Sequence, residues 1–220
     1  MIAIGALFRR YAVARRLALH FDPAALQRDL ARIDESWWRA HLGPYHDGNW
    51  ESVSLWAPDG DLFNQRTVGG PWAATRALQM CPEFSVAMDA FGCEKNRVRL
   101  MRLRSGGHIF RHSDPVQDVA HDLVRLHIPI TTNPDVLFLV NEQRLVMQPG
   151  EVWHVDVRFP HEVHNRGGEH RVHLVVDLVS NAQLAGWLAA APAAGEGRLT
   201  AYLLKHSLPL RVKRRLGIGN

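Results

Sequence analysis

Cysteine is scarce: two residues, Cys81 and Cys93, among 220. They form no CxxC motif and are too few to frame a disulfide scaffold, so they read as reduced thiols. Long apolar runs are missing as well. No window of ~18 uninterrupted apolar residues occurs, which excludes a helical membrane span. A secretory leader places positive charge before its apolar stretch, whereas here Arg9 and Arg10 follow the apolar residues 1–8. The acid-free, arginine-bearing start shares its composition with an organellar transit peptide, but the cytoplasm is the expected location. Acidic residues are absent from both ends. Residues 1–21 carry four arginines and residues 197–220 six basic groups, with no acid in either. The middle then holds sixteen basic against twenty-two acidic residues. Basic ends can attract an anionic surface. No aromatic-interleaved basic stripe accompanies them, so no nucleic-acid partner is expected and they read as solvated termini.

Histidine is plentiful and clustered. Nine of thirteen fall between His108 and His173, which points to metal or acid–base chemistry there. Apolar content of 46% and charged content of 22% suit a soluble globular chain of this length, read as one domain over residues 1–220.

The chain changes character near residue 97. Before it, residues 15–21 suggest a strand. Asp22-Pro23 supplies an N-cap followed by proline at N1, so 24–33 reads as a helix. Residues 51–56 suggest another strand, closed by the turn Pro58-Asp59-Gly60-Asp61. Residues 65–71 read as a loop. Helical patches at 73–80 and 84–91 are split by Cys81-Pro82. After residue 97, apolar and polar residues alternate in short runs: 97–104, 124–130, 136–140, 144–147, 152–157 and 171–179. The first slips phase at Leu100-Met101, which suggests a bulge. Asn141-Glu142-Gln143 is a hairpin loop and Pro149-Gly150 a turn. Short strands at this spacing predict a sandwich or barrel. Residues 181–190 read as a helix, followed by a basic tail with an apolar stretch at 201–204. The division is therefore 1–95 as support and substrate side, 96–180 as the β core, and 181–220 as helix and tail.

His112 and Asp114 are two apart, so on an extended strand they face one side. His161 lies 49 residues further on. Two imidazoles and one carboxylate make the facial triad of non-heme iron(II) sites, with coordination positions left open. His161 and His164 are three apart and face opposite sides of a strand, so they do not share an ion. On 124–130, Arg125 and His127 share one face; Val124, Leu126, Ile128 and Ile130 share the other. An inward arginine wants an anion, because a buried unpaired charge is costly. Asn165 reads as shaping the turn after His161, and Trp153 and Phe159 as core. Arg102 and Arg104 are open to either an anionic ligand or solvent. His121, His154, His164, His170 and His173 read as exposed or hydrogen-bonded.

These motifs, in order, resemble the aspartyl/asparaginyl β-hydroxylase family of iron(II)- and 2-oxoglutarate-dependent oxygenases. The matching stretches are Arg97-Val-Arg-Leu, Gly107 to Asp114, Arg125-Leu-His-Ile-Pro-Ile, Met147-Gln-Pro-Gly-Glu-Val-Trp, and Pro160-His-Glu-Val-His-Asn through Arg171-Val-His-Leu-Val-Val-Asp. They cover residues 95–180, with a looser likeness from Glu51. The resemblance implies a mainly β fold with flanking helices around a double-stranded β-helix, the cupin-like jelly roll. It implies that His112, Asp114 and His161 ligate Fe(II). Having Asp114, the chain is similar to the bacterial amino-acid hydroxylase branch rather than to two-histidine relatives. Arg171, ten residues after His161, would grip the distal carboxylate of 2-oxoglutarate with a bidentate fork. Arg125 and His127 would line the site beside it.

The implied activity is a dioxygenase reaction with O2. Oxidative decarboxylation of 2-oxoglutarate is coupled to C–H hydroxylation of an amino acid, free or carried on a peptide or carrier. Two other classes compete: a cupin-like metal-binding or sensing module without turnover, and a metal-dependent dioxygenase that does not use 2-oxoglutarate. Arg171 and Arg125 separate the first reading from the sensing module, which needs no paired carboxylate clamp.

Overall fold

Nine consecutive residues of one strand, Arg171–Val179, are hidden on both faces except at the last position. A strand buried on both sides must lie at the centre of a sheet that is covered front and back. In the computed structural model, which describes residues 10–66, 69–114 and 123–199, that is where it sits.

The elements follow in chain order. They are β1 (Arg10–Ala12), β2 (Ala14–His20), α1 (Pro23–Leu30), a 3₁₀ turn (Glu35–Trp37), β3 (Arg39–Ala40), β4 (Trp50–Pro58) and β5 (Trp72–Ala74). Next come α2 (Arg76–Gln79), α3 (Pro82–Asp89), β6 (Glu94–Leu103), β7 (His108–His112), β8 (Leu123–Thr131) and β9 (Val136–Val140). The rest are β10 (Gln143–Leu145), β11 (Glu151–Val155), β12 (His161–Asn165), β13 (Arg171–Val179), α4 (Ala182–Ala190) and β14 (Glu196–Arg198).

The large sheet runs β2-β11-β8-β13-β6-β4-β3, with β5 beside β4; a small sheet runs β10-β9-β12-β7; β1 pairs β14. All these pairings are antiparallel. Two facing antiparallel sheets with helices on one outer side form the expected jelly roll. One core cluster lies between the large sheet and the helices, joining Leu26, Phe84, Met88 and Leu184 to Leu126, Ile128, Leu174 and Val176. A second lies between the sheets and includes Ile109, Phe138, Val140, Trp153, Phe159 and Val163. Each fully buried Leu or Val here contributes about 1.5–3 kcal/mol.

Local chemistry explains the ends. Asp22 caps α1 by accepting from Ala24 N, with Pro23 in the first turn, and Asn181 caps α4 by accepting from Leu184 N. Asp29, 1% exposed, accepts from the backbone of Glu83 and Phe84 and so ties α1 to the start of α3. Asp59 and Gly60 both take left-handed φ in the turn after β4. Cys81 and Cys93 are buried and free, and burial pushes the Cys81 thiol up to about 12. Among the described residues no helix is long and apolar enough to cross a membrane.

Several expectations change. Residues 73–80 are not one helix: Ala73 and Ala74 pair with β4, and α2 is a short turn of helix. The hairpin loop is two residues, Asn141 and Glu142, both left-handed, because Gln143 already pairs with Val140. The bulge of β6 is not at Leu100-Met101, which pair in register with Leu174 and His173. It falls at Asn96, where Asp177 pairs with Arg97 but Leu178 with Lys95. Residues 98–103 are buried on both faces, so the apolar pair that suggested a phase slip is simply covered twice. β14 lay unread in the glycine-rich tail; it is held by β1, nearly the whole chain away. His121 and residues 1–8 and 201–204 lie outside the described residues.

Candidate functional site

The small sheet brings two histidines together. β7 and β12 pair with His112 directly opposite His161, and their rings sit 4.3 Å apart. Asp114 follows β7, its backbone N–H donating to Val157 O at 3.0 Å. Its Oδ1 lies 3.6 Å from His112 Nε2. One donor atom from each of His112, Asp114 and His161 lies within 4.8 Å of the others.

The strand geometry carries a device that simple alternation misses. Between the His161–His112 pair and the Val163–Ile109 pair, β12 advances two residues and β7 three. Phe110 and Arg111 therefore stand opposite Glu162 as a β-bulge, and both are exposed. Without the bulge, His108 and His112 would share a face. With it, His112 turns inward and His108 outward. Along β12, His161, Val163 and Asn165 are buried while Glu162 and His164 face out, as alternation predicts.

Each imidazole of the cluster is oriented by a carbonyl two residues back. His112 Nδ1 lies 2.6 Å from Phe110 O, and His161 Nδ1 3.0 Å from Phe159 O. These acceptors put the proton on Nδ1 and leave Nε2 bare, the tautomer a metal-ligating histidine needs. Burial lowers the His161 pKa to about 4, so the ring is neutral at ordinary pH. Burial would raise the Asp114 pKa, but the Arg125 guanidinium, by charge and hydrogen bond, opposes it and helps hold the carboxyl below its usual range. Two imidazoles and a carboxylate suit a divalent first-row cation.

Arg125 finds its anion within the protein. It donates to Asp114 Oδ2 at 2.5 Å, and to both carboxylate oxygens of Asp177 at 2.7 and 3.2 Å. Burial alone would lower its pKa; Asp177 and Asp114 together raise it instead. Asp177 also has Arg97 at 3.5 Å and Arg99 at 3.6 Å. Sequence reasoning gave Asp177 no role. The signal was available: on β13 it shares the face of Arg171 and His173, a lone acid in an apolar strand.

Arg171 is the converse case. It is 3% exposed, and among the described residues no acid pairs with it. Its Nη2 meets His173 Nδ1 at 2.7 Å, while its Nε has no partner. Burial pulls its pKa down to about 9. His127, equally buried, has neither ring nitrogen bonded, and burial holds it neutral. A small recess is lined by all six residues expected at the site: His112, Asp114, His161, Arg125, His127 and Arg171. It shares Arg171 and Phe138 with a larger cavity of about 450 Å³.

Arg102 and Arg104 do not join. Arg102 bonds to Glu35 and Glu51, and Arg104 to Glu51 through two nitrogens; both are paired with acids, and neither lines the recess. His173, read as exposed or hydrogen-bonded, is the second: it is buried and bonded to Arg171. Asn165 does more than shape a turn. Its Nδ2 donates to the carbonyls of Leu103, Arg104 and Glu169, tying the β12–β13 connection to β6.

Comparison with known proteins agrees with this architecture. The chain is 25% identical over 166 residues to "L-proline cis-4-hydroxylase" of Rhizobium meliloti (strain 1021), covering 74% of this chain and 59% of that protein. It thus spans about three-fifths of that relative's length. A solved Pseudomonas putida prolyl-4-hydroxylase superposes with TM-score 0.51 at 15% identity, covering 78% of this chain and 94% of the other, which shows a shared fold. The family described as Aspartyl/Asparaginyl beta-hydroxylase matches residues 19–181. With that match over most of its length, and a jelly roll that gathers the family's motifs into one recess, the chain belongs to the aspartyl/asparaginyl β-hydroxylase family.

Proposed function

We propose that this protein is an Fe(II)- and 2-oxoglutarate-dependent hydroxylase of an amino acid, working as one domain with its centre in residues 96–180. One observation carries the reading: Arg171 is a buried guanidinium without an acid partner among the described residues, on the wall shared by the His–Asp–His recess and the larger cavity. A buried, uncompensated cation is expensive unless an anion arrives. A metal-binding or sensing module has no need of it.

In this reading His112, Asp114 and His161 hold the iron. Arg171 receives the distal carboxylate of 2-oxoglutarate, and the free nitrogens of neutral His127 offer the co-substrate a hydrogen bond. Arg125 holds Asp114 in place while anchored on Asp177. When bound, iron supplies the activation of O2 that couples decarboxylation of 2-oxoglutarate to hydroxylation of a C–H bond.

The substrate is read as a small amino acid with a free carboxylate. Among the described residues the acids facing Arg97, Arg99 and Arg125 are Asp177 and Asp114, three arginines to two carboxylates, which leaves excess positive charge beside the recess. The relative's name makes proline the first candidate. An aspartyl or asparaginyl residue in a peptide, or a carrier-bound amino acid, is the second.

The test begins without oxygen. Adding Fe(II) and 2-oxoglutarate to the wild-type chain is expected to produce the visible charge-transfer band of the chelate, and Arg171→Ala to abolish it. Absence of the band, or its persistence in R171A, overturns the reading. Substrate-dependent succinate formation, screened from free proline through other amino acids to aspartyl and asparaginyl peptides, then names the substrate class.

A further inference from the structure

The bulge in β7 turns His108 outward, onto the side of the small sheet away from the recess, and there it meets two more potential ligands. His108 pairs in register with His164 across the strands, and their rings stack with centroids 3.6 Å apart. Glu162, two residues before His164, faces the same way. One carboxylate oxygen, Glu162 Oε2, lies 3.4 Å from His164 Nε2 and 3.7 Å from His108 Nε2. The three donor atoms lie within 4.8 Å of one another.

We infer that His108, Glu162 and His164 form a second divalent-metal site, separate from the inner one, that takes Zn²⁺ or a similar transition ion. Two imidazoles and one carboxylate suit such ions. An ion held at ~2.0–2.1 Å in tetrahedral geometry separates its ligands by about 3.3–3.4 Å. The two measured spacings already approach that value. They are also long for direct hydrogen bonds, and 3.7 Å is not one. His108 Nε2 is buried and has no hydrogen-bond partner, so the polar atom with most need of a ligand points at this spot. The edge of Phe110 covers one side of the His108 ring at 4.8 Å. Asp47 anchors the same residue by accepting from its backbone N–H at 3.0 Å. The three side chains remain 18–30% exposed, so an ion can enter and a water can complete its coordination.

The position gives the site a consequence. β7 and β12 are the strands that carry His112 and His161. An ion outside them clips the two strands together just beyond the bulge that aims His112 inward.

Metal counting tests this on the full chain. After equilibrium dialysis against low-micromolar Zn²⁺, bound zinc is measured by mass spectrometry for the wild type, for His108→Asn/His164→Asn and for His112→Asn/His161→Asn. Each double variant is expected to lose one ion per chain relative to the wild type. If H108N/H164N binds as much zinc as the wild type, the outer site does not exist. Loss in H112N/H161N reports the inner site alone, so the two readings fail separately. A substitution-free readout protects the test if a variant misfolds. Zn²⁺ is expected to shield His108 and His164 from diethyl pyrocarbonate, mapped by peptide mass, and unchanged modification of both overturns the inference.

Discussion

Arg125 joins Asp114 to Asp177: one guanidinium donates to Asp114 at 2.5 Å and grips both oxygens of Asp177 behind it. The carboxylate of the candidate metal site is thus positioned by an ion-pair relay rooted in β13, the best-buried strand of the fold. Asp177 is fully buried, so cutting the relay at Arg125 takes the closest partner from a buried charge.

Cutting it from one side is therefore expected to be severe. Arg125→Met takes from Asp177 its closest partner, leaving only the longer contacts to Arg97 and Arg99, and removes the holder of Asp114; it should cost about 3–5 kcal/mol. Asp177→Leu also takes the acid from Arg97 and Arg99, so it carries a loss of its own; because the Arg125–Asp177 pair is lost only once, the double variant Arg125→Met/Asp177→Leu should cost less than the sum of the two single losses. Urea unfolding of the wild type, both single variants and the double variant measures the coupling. Additive losses would refute the relay.

Arg171 should behave in the opposite way. It is a buried cation without an acid partner among the described residues, so Arg171→Met relieves a desolvation cost and should leave the free protein at least as stable as the wild type. What it should lose is stabilisation by 2-oxoglutarate, about 2.7 kcal/mol at a hundredfold excess over Kd. Thermal melts with and without the co-substrate, in the presence of Fe(II), read both quantities. A marked loss of stability without ligand would mean that Arg171 is structural.

Stability should fall with acid well above the carboxylate range. His154 is held neutral chiefly by burial, with its pKa lowered from 6.5 to about 4. The unfolded chain binds that proton first. The stability it contributes is therefore complete above pH 6.5 and lost as the pH falls towards about 4. His41, lowered to about 2 mainly by burial, adds to the same slope and extends it further down. His154→Gln should flatten the slope between those limits, measured as denaturant midpoints across pH. An unchanged slope would show that the ring does not titrate with folding.

Asn165 should matter more than a turn residue normally does. Asn165→Ala strips the buried carbonyl of Leu103 and the half-buried ones of Arg104 and Glu169 of a shared donor. The expected cost is about 1–3 kcal/mol. The same change loosens the connection that sets His161 against Arg171, so the affinity for 2-oxoglutarate should drop as well. Chemical denaturation and a co-substrate titration check the two effects separately.

Much of this was legible before any fold was known, wherever the physics is local. Asp22-Pro23 and Asn181 cap helices because a side-chain oxygen next to the first turn meets the free N–H groups there. Alternation separated His161 from His164 and set Arg125 and His127 against Leu126 and Ile128. It erred where a strand is covered twice, as at Leu100-Met101, because burial on both faces erases the period-two signal.

By itself, the sequence determined the chemical inventory: a His-x-Asp pair, a distant histidine, and an arginine ten residues beyond it on an inward strand face. Only the tertiary structure decided what each charge meets. Arg125 reaches Asp177 across 52 residues, while Arg171, one strand face away in kind, meets no acid among the described residues. Only the fold revealed the extra residue in β7 that sends His112 in and His108 out. The reason is physical. Side-chain direction is set by the backbone two residues at a time, but the neighbour across a sheet is set by register, and register depends on strands that are far apart in the chain.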